Sequence, residues 1–157
     1  MRRLIFAALT VVMVCACSSI DCPLNNAVYS KYVLKGDVGV LEKTLTVTTQ
    51  RADGRDTLLN ELSNFTEFLL PMSYANETDI LLFVTTDSNA VKLTDTVRVS
   101  KTNEPHFESV DCSPSYFHTI KDVKYTQNAI DSIIISKSKV TYDTTGGNLQ
   151  IYFKSDN

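Results

Sequence analysis

The chain has 157 residues, 43% hydrophobic and 21% charged, and its 15 Lys and Arg against 18 Asp and Glu give a net charge of −3. That is the composition of one globular domain, and it excludes a disordered chain, a collagen-like repeat and a multi-domain machine. The acidic balance argues against a nucleic-acid partner, because phosphate binding needs a basic face.

Arg2 and Arg3 precede an apolar run, residues 4–16, interrupted only by Thr10. A helix of that length reaches roughly 20 Å, short of the roughly 30 Å hydrocarbon core. The pattern is therefore a secretory signal peptide and not a membrane span. Its end, Val14-Cys15-Ala16-Cys17, resembles the lipobox of bacterial lipoprotein signals. In such signals, cleavage after residue 16 leaves Cys17 as the N-terminus, carrying a diacylglyceryl thioether and an N-linked acyl chain such as palmitate. A thiol is needed there because the thioether forms on it, and small residues before it let the peptidase approach the backbone. An ordinary secretory signal cleaved nearby, or an N-terminal membrane anchor, is the plainer alternative. Two or three acyl chains hold a protein on a membrane where one does not. Ser18 stands where an Asp would favour inner-membrane retention, so the expected address is the outer membrane. The tether, residues 17–21, carries only Asp21, unlike the acidic runs of some surface-exported lipoproteins, and a periplasm-facing protein is expected.

Cleavage leaves 141 residues (157 less 16) and, with Arg2 and Arg3 gone, a net charge of −5. The remaining domain, residues 22–157, is large enough for one sizeable core. Cys15 departs and Cys17 takes lipid, which leaves Cys22 and Cys112. Two thiols in an oxidising compartment predict a disulfide. Two free buried thiols are the alternative, and a metal site on two cysteines lacks further ligands at useful spacing.

From here the chain reads as short strands divided by turns. Residues 29–34 form the first, ended by a loop with Gly36 and Gly39. Leu45 and Val47 alternate with Thr44, Thr46 and Thr48, the period of a strand with one buried face. Asp53-Gly54 then predicts a two-residue hairpin into residues 57–59. Leu58, Leu59 and Leu62 have helical spacing, so residues 57–64 are a candidate for one or two helical turns. Residues 80–84 and 133–135 are solid apolar runs, expected as central strands covered on both faces. Between them Val97 and Val99 alternate with Thr96, Arg98 and Ser100. Pro71, Pro105 and Pro114 fall at strand ends, where a missing N–H is tolerated. Gly146-Gly147-Asn148 predicts a hairpin joining residues 140–142 to Leu149–Phe153, with Tyr142 and Tyr152 paired across it. Leu149, Ile151 and Phe153 alternate with Gln150, Tyr152 and Lys154, and should fill the core. About nine such strands predict an all-β fold, an antiparallel β-sandwich of immunoglobulin-like general architecture.

Catalytic templates find no match. Gly-x-Ser-x-Gly and His-Glu-x-x-His strings are absent. His106 and His118, with Ser109, Ser113, Ser115 and Asp111 near them, are the only material for a triad, and surface polarity explains them as well. Asp53-Gly54-Arg55-Asp56 lacks the ligand pattern of a calcium loop, and the hairpin accounts for it. Asn64-Phe65-Thr66 and Asn76-Glu77-Thr78 match the glycosylation triplet, which in a bacterial envelope carries no weight. Tyr116, Phe117 and Tyr125 form an aromatic stretch near Cys112, read either as a ligand patch or as cross-strand packing.

Cys22-Pro23, Leu70-Pro71-Met72, Asp95-Thr96-Val97-Arg98-Val99 and Phe107-Glu108-Ser109-Val110-Asp111-Cys112 occur in that order. Ile130-Asp131-Ser132-Ile133 and Asn148-Leu149-Gln150-Ile151-Tyr152-Phe153 follow them. The series resembles a family of small uncharacterised lipoproteins of the Bacteroidota, a domain of unknown function. Ser113 departs from the Gly more typical after the second Cys. The resemblance implies a lipid-anchored β-sandwich with a cystine and no established activity. The expectation is a cell-envelope protein without a cofactor, held to the membrane by its N-terminal lipid, which binds or helps assemble an envelope protein or glycan. The competing expectation is a small hydrolase of periplasmic or dietary polymers that uses unrecognised carboxylates.

Overall fold

The computed structural model describes Cys22 and residues 27–51 and 54–155, without the side chain of Arg51. The expected signal segment 1–16, Cys17, the tether 17–21 and Asp53 lie outside the described residues. Among the described residues ten strands follow one another: β1 (Tyr29–Lys35), β2 (Thr44–Arg51), β3 (Gly54–Leu62), β4 (Glu67–Pro71), β5 (Thr78–Thr86), β6 (Lys92–His106), β7 (Ser115–Tyr125), β8 (Ile130–Ile135), β9 (Lys139–Val140) and β10 (Leu149–Phe153).

They form a β-sandwich. A four-stranded sheet in the order β4-β1-β10-β8 packs on a six-stranded sheet in the order β3-β2-β5-β6-β7-β9. The alternating stretches bury their apolar side as strand geometry requires: Leu45, Val47, Val97, Val99, Leu149 and Ile151 are all buried. Tyr32 of β1 stacks on Phe68 of β4 at 4.9 Å and meets Phe83 of β5, in the other sheet, at 5.9 Å. This aromatic group ties the two layers together.

Several expectations are corrected. β1 and β10 run parallel, with Tyr32 opposite Leu149, so the sandwich is not wholly antiparallel. β9 pairs with β7, and β10 lies between β1 and β8, so the turn at Gly146 and Gly147 is a crossing between sheets and not a hairpin. Tyr142 and Tyr152 consequently do not pair. A Cβ on Gly147, which sits at φ +71°, would lie 2.5 Å from Val33 Cγ2, so the crossing needs glycine.

Residues 57–64 are not helical. Opposite Leu45 and Val47 stand Leu62 and Leu59, with a bulge between. Three residues of β3 match two of β2 there, and this spacing imitates a helical period. The solid runs are covered on one face only. Ile80 is exposed, as is Ile134, and β8 is an edge strand.

Two buried polar residues hold the loops. Asp95, fully buried, accepts hydrogen bonds from Thr126 Oγ1 and the Asn128 N–H through one oxygen, and from the Ala129 and Ile130 N–H groups through the other, at 2.7–2.9 Å. Asn148 accepts from the Lys31 N–H and donates to the carbonyls of Lys137 and Lys139, fastening the crossing strand to both sheets.

Candidate functional site

β6 is 15 residues long and runs between two unlike ends of the sandwich. At its His106 end, Cys22 and Cys112 are joined in disulfide geometry with Cα atoms 5.5 Å apart. The intervening loop, residues 107–114, exposes Phe107 and, almost completely, Val110.

The β6–β7 register sets Asn103 opposite His118 and His106 opposite Ser115. Side chains alternate along a strand, so His118 and His106 point to opposite faces of the sheet. His106 stacks on Phe117 at 4.2 Å, touches the edge of Tyr142 and bonds Glu108 at 3.1 Å. Ser115 accepts the Tyr142 hydroxyl, and Ser109 Oγ accepts from the Asp111 N–H. The residues considered for a triad are therefore divided between the two faces and the loop. Tyr116 stacks on Tyr74 at 5.0 Å. Tyr125 lies at the far end of β7, opposite Val97, and packs against the core, apart from Tyr116 and Phe117.

On the inner face lies a polar cluster that pattern reading missed. Lys101 continues the inward series of Asp95, Val97 and Val99, and that alternation was its only signal in the sequence. Its ammonium lies 3.3 Å from Asp79 Oδ1 and donates to the carbonyls of Ser73 and Asn76 at 2.6 Å. Burial pushes the Lys101 pKa down and the Asp79 pKa up, and their mutual attraction opposes both shifts. His118, buried beside them, is held down to about 4 by desolvation and by the Lys101 charge. Asn103 spends its amide hydrogens on the carbonyls of Tyr74 and Asn76, so its Oδ1 accepts from His118 Nδ1 at 2.8 Å. The cluster clamps the loop that crosses from β4 to β5.

At the Lys92 end lies a cleft of about 260 Å³. Its walls are apolar, from Val38, Leu41, Leu93, Ala129 and Phe153, with Asp37, Glu42, Lys43 and Lys154 around them. A second hollow, over Gly36, Asp131 and Tyr152, shares Asp37, Phe153 and Lys154 with it, so one groove crosses this end. These residues come from the β1–β2 loop, the β7–β8 loop, the ends of β6, β8 and β10 and the chain after β10, and Asp95 supports the β7–β8 loop. Nothing in a linear reading joins them. A groove of this kind binds by shape and apolar contact, with charge at its margin for orientation.

Gly54, Arg55 and Asp56, read as hairpin residues and not as a calcium loop, open β3. Among the described residues no three His, Cys, Asp or Glu side chains come together to hold a metal ion. Also among them, no helix is long and apolar enough to cross a membrane.

One family model, Family of unknown function (DUF6452), matches residues 44–153, from the start of β2 to the end of β10. No curated protein and no solved structure matches the chain.

Proposed function

The chain belongs to that family of unknown function, and from its own residues we propose that it is a lipid-anchored binding protein of the cell envelope, without catalytic activity. Cys17 carries the lipid, Cys22 and Cys112 are oxidised in the mature protein, and the address is the periplasmic side of the outer membrane. The cleft at the Lys92 end receives an apolar portion of another envelope protein or of a glycan. One observation carries this reading: the cleft and the cysteine that leads to the lipid sit at opposite ends of β6. A domain tethered at one end presents the other to partners.

The test is affinity capture from solubilised envelopes with the intact lipidated protein and with its Leu93→Glu variant, which places a charge in the apolar wall. A component held by the first and lost by the second supports the reading. Identical capture by both contradicts it.

Asp37 and Glu42 both line the cleft, and this favours the hydrolase as the second reading. Paired carboxylates are the usual equipment for splitting glycosidic bonds. In that case purified protein cleaves an envelope or dietary polymer, and Asp37→Asn and Glu42→Gln each abolish turnover while leaving polymer binding in place.

A further inference from the structure

We infer that the loop between β6 and β7 is a membrane-contact element: Phe107 and Val110 insert into the lipid interface and set the orientation of the anchored domain. The inference rests on the lipoprotein reading of Cys17. Phe107 is 60% exposed and Val110 96%, the latter the most exposed of the large hydrophobic residues described. Their place relative to the anchor makes this exposure meaningful. Cys22 lies five positions after Cys17, at most about 18 Å of extended chain. Cys22 is bonded to Cys112, with Cα atoms 5.5 Å apart. Val110 is two residues from Cys112, at most about 7 Å along the chain. A lipid on Cys17 therefore keeps this loop within a short reach of the bilayer, and apolar side chains held there gain by entering it. Aromatic and aliphatic side chains on interfacial segments settle roughly 5–10 Å deep, at the boundary of headgroups and acyl chains.

The charges around the loop select the kind of surface. Glu108 is engaged by His106, and Asp111 stands next to Val110. No Lys or Arg occurs in residues 107–114. An acidic loop is repelled by anionic headgroups, so the contact is apolar and the lipid it suits is zwitterionic. Anchored this way, β6 stands away from the membrane and carries the cleft outward.

The chain has no Trp, so a single introduced Trp reports on its own position. The test uses full-length, exported protein bearing Phe107→Trp or, at the opposite end of β6, Val91→Trp. Each is reconstituted into vesicles of phosphatidylethanolamine and phosphatidylcholine with brominated acyl chains, and the mass of the N-terminal peptide is measured in parallel. The inference expects the Phe107→Trp emission to shift to the blue and to fall roughly by half, as for an interfacial aromatic, whereas Val91→Trp does neither. Adding Val110→Asp to the Phe107→Trp protein should restore most of the intensity. Unquenched Phe107→Trp emission on a protein whose Cys17 carries lipid overturns the inference and leaves the lipoprotein reading standing. A blue shift without quenching means that a second copy of the chain covers the loop, which also overturns it. An N-terminal peptide without lipid overturns both.

Discussion

The ammonium of Lys101 lies 3.3 Å from Asp79 Oδ1, with the lysine side chain wholly buried, and it completes its coordination on the carbonyls of Ser73 and Asn76. A buried pair gains little over a well-packed apolar pair, yet removing one partner strands the other charge. Lys101→Met and Asp79→Asn should therefore each cost about 3–5 kcal/mol in urea unfolding, the second because Asp79 accepts from Lys101 through one oxygen and from the Ser73 N–H through the other, and an amide must turn its NH2 towards one of those donors. Equal and small losses for both variants would show that the β4–β5 loop does not depend on this cluster.

His118 predicts how stability responds to acid. Its folded pKa is about 4, below the unfolded value of 6.5, because burial and the Lys101 charge oppose protonation. A lowered histidine pKa means that the unfolded chain takes the proton first. The stability it contributes is complete above pH 6.5 and is lost as the pH falls towards 4. Between pH 7 and 5 the wild type should lose roughly 2 kcal/mol through this group. The His118→Gln variant should lack that portion of the slope, and denaturant midpoints at the two pH values measure it.

The last strand joins a pattern legible in the sequence to a position that was not. The alternation of Leu149, Ile151 and Phe153 marks a strand with a buried face, and all three are buried. Its neighbours were not legible, because the glycine pair before it serves a hairpin and a crossing equally well, and only Val33 and Lys31 packed against Gly147 and Asn148 decide between them. As a central strand, β10 should be indispensable. Ile151→Ala should cost about 2–5 kcal/mol, and a chain ending at Asn148 should fail to give a cooperative thermal transition. A folded truncated chain would show that β1 and β8 close the sheet without it.

Other elements divide in the same way. One-faced strands such as β2 and the middle of β6 were readable from a period of two. The bulge in β3 converted that period into three and resembled a helix. The apolar runs of β5 and β8 hid their exposed sides because Ile80 and Ile134 are as hydrophobic as their buried neighbours. The cleft could not be read, since its walls come from loops and strand ends brought together only by the closed sandwich. Lys101 was readable only by extending the alternation beyond Val99 and accepting a charge in the core.

Reduction of the disulfide should weaken the domain at its anchored end. Cys22 and Cys112 are 90 residues apart in sequence, and opening so long a loop releases about 4–5 kcal/mol of chain entropy to the unfolded state. For a domain of this size that corresponds to a fall of roughly 10–15 °C in the melting temperature, to be read by calorimetry of the mature protein with and without a reductant. An unchanged midpoint would mean that the bond adds nothing beyond what β1 already secures.

The proposed roles of the cleft and of the β6–β7 loop both depend on the lipid at Cys17. The direct measurement is detergent-phase partitioning of the exported protein, wild type and Cys17→Ala, with the mass of each mature N-terminal peptide. The wild type should enter the detergent phase with a diacylglyceryl group and an acyl chain on Cys17, whereas Cys17→Ala should lack the lipid and stay in the aqueous phase. An unmodified Cys17 in the wild type, or a Cys17→Ala protein that still partitions with detergent, would contradict the lipoprotein reading.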